Sequence, residues 1–153
     1  MNLEKAIKIA VEAHTEQVDN GGNPYILHPL RVMLSLNSEA ERIVGVLHDV
    51  VEDCEGWSWE RLKAEGCCEE IIEALQSVSK TPEEEAEYRS LPEDEKLGHY
   101  LEFIQRAKAN KIGRQVKAAD IRDNLDITRI DNMAERDLNR LNRYKAALKI
   151  LLE

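Results

Sequence analysis

Apolar residues recur at intervals of three and four along most of this chain, and that period is typical of an α-helix. Near the start, one such stripe lies beside a charged outer face and consists of Leu3, Ala6, Ile7, Ala10 and Val11. No pair of strands and no internal repeat is found. The pattern therefore predicts an all-α fold.

Capping residues, glycines and prolines mark where the predicted helices begin and end. Ser38 is suited to the N-cap of a helix that runs to about residue 53, and Ser58 to the N-cap of a short helix that ends at Gly66. Further helices are predicted over about 2–18, from Pro29 to about 36, around 71–78, and over about 96–109, 112–127 and 134–152.

Segment 81–95 is predicted to be an exposed loop or a frayed turn. Thr81 and Glu84 have the spacing of a capping box, but the segment is acidic and Pro92 interrupts it. The turn formers at 19–24 predict a second loop, between the first two helices.

The size and charge of the chain limit its class. Its 153 residues suit one domain, residues 1–153, which should bury about 70% of its unfolded surface. The net charge of -9 argues against broad binding to nucleic acid or to an anionic membrane. No stretch is apolar enough for a membrane span, and the N-terminus lacks the features of a signal peptide, so a cytoplasmic protein is expected.

Three cysteines and one histidine are assigned structural roles. Cys54, Cys67 and Cys68 form an odd set without CxxC spacing, which favours reduced thiols over a disulfide framework and over a cysteine-ligated metal. His14 lies on the apolar face of the first helix and is predicted to be packed and hydrogen-bonded rather than a ligand.

Two of the four histidines, His28 and His48, lie in turn or helix contexts near carboxylates. His48 and Asp49 taken alone are typical of a histidine satisfied by a helical neighbour. In another helix, however, Asp120 and Asn124 form a second polar cluster that would be costly to bury unpaired. A divalent metal would supply the missing partner, and mixed imidazole and carboxylate ligands suit zinc, manganese or iron. The two histidines and two aspartates are candidate ligands.

Glu52 and Asp53 add two further carboxylates close to this pair. Within a helix, four-residue spacing puts His48 with Glu52, and Asp49 with Asp53, on shared faces. Carboxylates so placed can orient a water, take its proton or protonate a leaving group. A solvated acidic helix end is the alternative, although the helix dipole disfavours acids at a C-terminus.

These residues make the chain resemble the HD superfamily of metal-dependent phosphohydrolases, and within it the small alarmone hydrolases and the hydrolase domain of bifunctional (p)ppGpp synthetase/hydrolases. Three segments carry the resemblance by their order and spacing, namely 13–17 continuing into 22–29, then 46–53, then 117–124. The resemblance implies an HD-type helical bundle.

The resemblance also implies a ligand set and a reaction. One metal ion, typically manganese in this family, would be bound by His28, His48, Asp49 and Asp120. Glu52 and Asp53 would position and activate the attacking water, and the substrate would be contacted by Asn124, with Lys117 and Arg122 as further candidates. The implied reaction removes pyrophosphate from the 3′ position of guanosine tetra- or pentaphosphate, so the expected partner is a small nucleotide.

Two departures lie where the family meets its substrate. Asp19 and Asn20 stand where the family usually has a basic pair, and Asp126 stands where it commonly has an arginine, although Arg122 and Arg129 lie near enough to substitute. An HD hydrolase of another nucleotide or phosphoester is therefore an alternative. A non-catalytic nucleotide- or metal-binding regulator is a third, which the 52–53 acid pair disfavours because a regulator does not need it.

Overall fold

Ten α-helices and one short 3₁₀ helix make up the regular structure, a computed structural model that describes all 153 residues. The α-helices are α1 Leu3–Ala13, α2 Leu27–Leu34, α3 Glu39–Leu47, α4 Val50–Asp53, α5 Trp59–Ala64, α6 Glu69–Val78, α7 Pro82–Ser90, α8 Glu93–Ala109, α9 Lys111–Asn124 and α10 Glu135–Leu152. The 3₁₀ helix is Ile127–Arg129. The only strand-like pairing is an isolated bridge between Val18 and Pro24. The predicted all-α class is confirmed.

Side-chain caps explain most of the helix starts. The Ser38 side chain accepts a hydrogen bond from the backbone N–H of Glu41, and the Glu41 carboxylate accepts one from the Ser38 N–H. Helix α3 therefore begins with a full capping box. Ser58 accepts from the N–H of Arg61 at the start of α5, as predicted. Asn110 caps α9 through the N–H groups of Ile112 and Gly113.

The prediction of a loop over 81–95 is wrong. Thr81 and Glu84 complete a capping box for α7, whose first position is a proline and whose first turn is acidic, and all three features stabilise a helix start. Pro92 does not break a helix, because it stands at the N-cap of α8. The acidic run that suggested a loop is therefore placed where helix dipoles favour negative charge.

The predicted helix from Ser38 to about Asp53 is broken in two at His48 and Asp49. The His48 carbonyl accepts a hydrogen bond from the Ser79 hydroxyl at 3.2 Å, so this oxygen is satisfied by another element. Asp49 becomes the N-cap of α4. The break places His48 and Asp49 at a junction rather than on one straight helix face.

The first helix ends at Ala13, earlier than predicted. Beyond it, Glu16 has a φ of 65°, a left-handed conformation that costs a non-glycine residue about 1–2 kcal/mol. The chain reverses here and returns as an irregular loop to α2, so Gln17 contacts the end of α4 instead of continuing the helix.

Helices α3 and α9 occupy the middle of the bundle. α3 packs against α1, α2, α6 and α9, and α9 also packs against α8 and α10. The larger hydrophobic cluster includes Val44, Leu47 and Val116, and the smaller one includes Ile104 and Ile121. α9 contributes to both clusters, which fixes its position relative to α2 and α3. None of the helices has the length and apolar character that crossing a membrane requires.

Candidate functional site

The four residues proposed as metal ligands converge from three parts of the bundle. His28 comes from α2, His48 and Asp49 from the α3–α4 junction, and Asp120 from α9. Ligand atoms of His28, His48 and Asp49 all lie within 4.8 Å of one another. The Asp120 Oδ1 atom lies 3.3 Å from the Nε2 of His28 and 3.7 Å from the Nε2 of His48.

His48 presents one ring nitrogen to this cluster and uses the other to fix its orientation. Its Nδ1 lies 2.8 Å from the Gly45 carbonyl oxygen, which only accepts, so the proton is on Nδ1. The buried Nε2 has no hydrogen-bond partner and lies 3.0 Å from Asp49 Oδ2, so in the neutral ring its lone pair faces the cluster. Burial lowers the pKa of His48, but the carboxylates of Asp49 and Asp120 raise it well above its usual range. Positive charge is therefore favoured at this point.

His28 has the same arrangement with a different partner. Its Nδ1 donates to the Asp123 carboxylate at 2.6 Å, which leaves the Nε2 lone pair directed towards the cluster. The Nε2 of His28 lies 3.7 Å from Asp49 Oδ2. In their neutral forms both imidazoles thus direct a lone pair towards the same carboxylates, an arrangement that a bound cation would stabilise.

Asp49 is held from a second side by Tyr25. The Tyr25 hydroxyl donates to Asp49 Oδ2 at 2.5 Å. Burial and the adjacent Asp49 carboxylate raise the pKa of Tyr25, so this hydroxyl keeps its proton and acts as a donor. Burial alone would raise the pKa of Asp49, but the neighbouring His48 lowers it, so the carboxylate is ionised.

Asp120 is oriented by two neighbours on its own helix. Lys117 Nζ bonds Asp120 Oδ2 at 2.8 Å, and the Asn124 amide donates to Oδ1 at 2.8 Å. Burial lowers the pKa of Lys117, but the Asp120 carboxylate outweighs burial and keeps the ammonium charged. Two residues expected to contact substrate therefore also hold a candidate ligand in place.

The donor set fits a divalent transition metal. The Nε2 atoms of two imidazoles and two carboxylates face one point, and a metal cation placed there would be bound by all four groups. Mixed nitrogen and oxygen ligands suit manganese, iron or zinc better than magnesium or calcium.

Glu52 and Asp53 lie beside the ligands on α4. The Glu52 carboxylate accepts the backbone N–H of Lys80 at 2.9 Å. Burial, Asp49 and Glu52 together raise the pKa of Asp53 to about 6, whereas the pKa of Glu52 is raised mainly by burial. Both acids line a cavity of about 1030 Å³ that also contains Trp57, Trp59 and Lys80.

Two other cavities share part of their lining, and only the smaller of them is lined by candidate ligands. One, of about 340 Å³, is lined by residues that include His28, Asp49, Asp120, Lys117, Asn124 and Arg129. The next, of about 710 Å³, is lined mainly by charged side chains, which include Asp19, Asp126, Arg129, Arg136, Arg140 and Arg143. Arg122 is exposed and lines none of the three cavities, so the structure does not bring it to the site.

Tyr25 and Asp123 touch the candidate ligands directly, although neither was predicted from the sequence to be a site residue. Tyr25 lies within a segment that carries the family resemblance, and only the fold shows that its hydroxyl reaches Asp49. Asp123 follows Asp120 by three residues, which places both on one face of α9. That spacing was the available signal for a second carboxylate at the site.

Comparison with known proteins confirms the resemblance to alarmone enzymes of the HD type. The chain is 37% identical over 84 residues, 51% of its length, to an Arabidopsis thaliana protein named provisionally as the chloroplastic GTP diphosphokinase RSH1. It is 36% identical over 97 residues, 60% of its length, to the guanosine-3′,5′-bis(diphosphate) 3′-pyrophosphohydrolase of Borreliella burgdorferi. It is 28% identical over 155 aligned residues, 99% of its length, to a Mycoplasma genitalium protein named provisionally as the same hydrolase.

The chain spans 10%, 14% and 21% of these three relatives, respectively. No protein-family model matches it.

The fold matches that of a solved structure described as a metazoan ortholog of SpoT that hydrolyzes ppGpp and plays a role in starvation responses. The TM-score is 0.74 with 19% identity, and the alignment covers 99% of this chain and 85% of the other. The predicted HD-type helical fold is confirmed.

Proposed function

We propose that this chain is a manganese-dependent phosphohydrolase that converts guanosine 3′,5′-bis(diphosphate), ppGpp, to GDP and pyrophosphate, and that residues 1–153 form one HD-type domain. The relatives named as 3′-pyrophosphohydrolases and the ppGpp-hydrolysing structural neighbour support the substrate. The free cysteines are consistent with a reducing compartment such as the cytoplasm.

The observation that carries the proposal is the convergence of ligand atoms of His28, His48 and Asp49 within 4.8 Å of one another. The Nδ1 of each imidazole is bonded elsewhere, which directs its Nε2 to the cluster. Asp120 completes a set of two nitrogens and two carboxylates. The Nε2 atom of His48 is buried without a partner.

In the proposed reaction, the bond between the ribose 3′ oxygen and its phosphorus breaks, and water supplies the oxygen that the departing pyrophosphate gains. A bound divalent ion would lower the pKa of water and screen phosphate charge. Asp53 and Glu52 would orient the water and accept its proton, which finally reaches the 3′ oxygen. Lys117 and Asn124, both on the wall of the 340 Å³ cavity, would contact the nucleotide.

The experiment is to load the protein with Mn²⁺, add ppGpp, and follow the release of pyrophosphate and GDP. Asp49→Ala should abolish turnover, whereas Asp94→Ala, a change at an exposed aspartate of α8, should not alter it. Glu52→Gln should lower kcat by about 10²–10⁴-fold, the usual contribution of acid–base catalysis, and should leave Mn²⁺ binding intact. Glu55→Gln, at an exposed glutamate just after α4, is the matched control.

Wild-type turnover in Asp49→Ala would remove the metal assignment. Full activity in both Glu52→Gln and Asp53→Asn would remove the proposed role of the acid pair. A wild-type chain that bound ppGpp without hydrolysing it would instead be better described as a regulator.

An HD hydrolase of a different nucleotide is the second candidate, and the 710 Å³ cavity favours it. Asp19 and Asn20 line this cavity where a basic pair is expected, and Asp126 also lines it. The cations of this cavity come instead from Arg129 and from arginines of α10. A panel of nucleoside polyphosphates tested beside ppGpp separates the candidates, because turnover of another nucleotide without ppGpp turnover selects the second.

A further inference from the structure

We propose that Asp123 is a positioning residue of the candidate metal centre, because it holds the His28 ring in the tautomer that presents Nε2 to the ion. Arg31 and Arg129 in turn fix the Asp123 carboxylate. This inference rests on the proposed function for the existence of the metal centre, but not for the identity of the substrate.

The His28 contact sets the tautomer. A carboxylate only accepts, so the 2.6 Å bond to Asp123 Oδ2 requires the proton on Nδ1 of His28. In the neutral ring Nε2 then carries the lone pair, 3.3 Å from Asp120 Oδ1. Ring rotation or transfer of the proton to Nε2 would break the Asp123 bond and turn a donor towards the ligands. Metal-binding histidines are commonly oriented by such a carboxylate.

The two histidines of the centre are oriented by different means. His48 bonds the backbone carbonyl of Gly45 in its own helix, which no side-chain substitution removes. His28 depends on a side chain from α9, 95 residues away in sequence. Asp123 lies three residues after Asp120, so one helix face supplies both a candidate ligand and the group that orients another.

The two arginines hold the carboxylate in one plane. Arg31 binds it through two nitrogens, with Nε 2.7 Å from Oδ1 and the second nitrogen 3.1 Å from Oδ2. Arg129 adds a contact of 3.2 Å to Oδ2 and also donates to the Asp123 backbone carbonyl. Paired bonds of this kind fix direction as well as distance. Arg129 is therefore engaged with Asp123 even though it lines both the 340 Å³ and the 710 Å³ cavities.

The competing explanation is an ion cluster that only joins α2 to α9. Such a cluster would contribute to stability but would have no particular effect on the His28 ring. Burial favours the positioning role, because the His28 and Asp123 side chains are 9% and 13% exposed, and a bond so shielded from water is strong enough to select one tautomer.

The test compares Asp123→Leu and Asp123→Ala with Asp94→Asn, a control at an exposed aspartate. Mn²⁺ affinity is measured by competition with a chromophoric chelator, without any nucleotide. The ¹⁵N shifts of the His28 and His48 rings are measured in the metal-free proteins at a pH where both rings are neutral. Asp123→Ala should weaken Mn²⁺ binding about 10–100-fold. It should also shift His28 to a mixture of tautomers while His48 stays unchanged.

Two results would overturn the proposal: unchanged His28 ring shifts in a folded Asp123→Ala variant, or unchanged Mn²⁺ affinity with only a lower Tm. If Asp123→Ala does not fold, Asp123→Leu decides, since it keeps a similar side-chain shape and has no acceptor for the His28 N–H. A wild-type chain that binds no Mn²⁺ would refute the metal centre, and the His28 shifts would still decide whether Asp123 sets the tautomer.

Discussion

The Gln17 side-chain amide donates to the backbone carbonyl of Asp53 at 3.1 Å, so the loop after α1 is tied to the end of the acidic helix α4. The side-chain oxygen of Gln17 lies 2.8 Å from His14 Nδ1, and the backbone carbonyl of Gln17 accepts a hydrogen bond from the N–H of Tyr25 at 2.9 Å. One residue thus connects the acid pair, the buried histidine and the loop whose tyrosine holds Asp49.

We expect Gln17→Ala to lower kcat for ppGpp by about 10–100-fold, because small displacements of catalytic groups have effects of this size. Mn²⁺ affinity should stay within about twofold, since no candidate ligand touches Gln17. Loss of a supporting group of a metal site weakens binding by about 10-fold or more, so a weakening of that size would assign Gln17 to the metal centre instead. Glu16→Gln, an exposed change at the preceding residue, is the control for disturbance of the loop.

Tyr25→Phe tests the hydrogen bond to Asp49. The substitution removes only the hydroxyl that donates at 2.5 Å, so the Asp49 carboxylate gains rotational freedom. Mn²⁺ affinity should fall about 10-fold, as for other supporting groups around metals. Tyr88→Phe, which removes a hydroxyl far from the candidate ligands, should bind Mn²⁺ like the wild type. Equal affinities of the two variants would show that Asp49 needs no support.

Mn²⁺ should raise the Tm of the wild-type chain. An ion that binds only the folded state stabilises it by about 2.7 kcal/mol at 100 times its Kd. For a chain of this size that corresponds to about 5–11 °C. Differential scanning fluorimetry with Mn²⁺ and then with excess chelator measures the shift and its reversal. In Asp49→Ala the shift should be absent, and an equal shift in that variant would mean that Mn²⁺ binds elsewhere.

The sequence predicted the helical class and most helix starts because caps and apolar periods are local signals. Ser38, Ser58 and the residues of α6 follow those rules directly. The loop predicted over 81–95 was wrong for a physical reason, since an acidic run reads as solvated chain until its place in the first turns of α7 and α8 is known.

The candidate ligands were accessible from sequence only because two histidines and two aspartates fall in segments with a recognisable spacing. Their supports were not. The bond from Gln17 to Asp53 depends on the reversal at Glu16, and the bond from Asp123 to His28 joins α9 to α2. Long-range contacts of this kind have no periodic signature along the chain, so the fold is needed to find them.

Cys54 should react slowly with alkylating agents despite its histidine neighbour. Its Sγ lies 3.3 Å from His14 Nδ1, a distance at which a histidine could activate a thiol. Burial, however, raises the pKa of Cys54 to about 11 and lowers the pKa of His14, so both groups are neutral when they are buried together. At pH 8 only about one thiol in 1,000 would be thiolate, and the rate should rise about tenfold per pH unit until pH approaches 11.

Peptide mass spectrometry after timed iodoacetamide treatment measures this rate, with the exposed Cys68 as the internal reference. Labelling of Cys54 as fast as Cys68 at pH 8 would show that His14 activates the thiol.

Gly113→Ala should destabilise the fold at the contact between α6 and α9. A Cβ at this position would lie 2.0 Å from the Ser77 Oγ, and both residues are buried, so the helices would have to separate. Overpacking of this kind costs about 1–3 kcal/mol in the free energy of unfolding, measured by urea denaturation. The same change at Gly98, where no atom lies within 4 Å, should instead stabilise α8 by about 0.5–1 kcal/mol.

Ser77→Ala in the Gly113→Ala background should restore most of the lost stability. The nearest remaining atoms, the residue-77 Cβ and the Val78 Cγ1, would both lie 3.3 Å away, a distance that small shifts of the helices can accommodate. The Ser77 hydroxyl bonds only the Ala74 carbonyl of its own helix, so its removal costs little. If the double variant is as unstable as Gly113→Ala alone, the destabilisation arises from the other close contact of the new Cβ, with Val78 Cγ1 at 3.3 Å, rather than from the Ser77 hydroxyl.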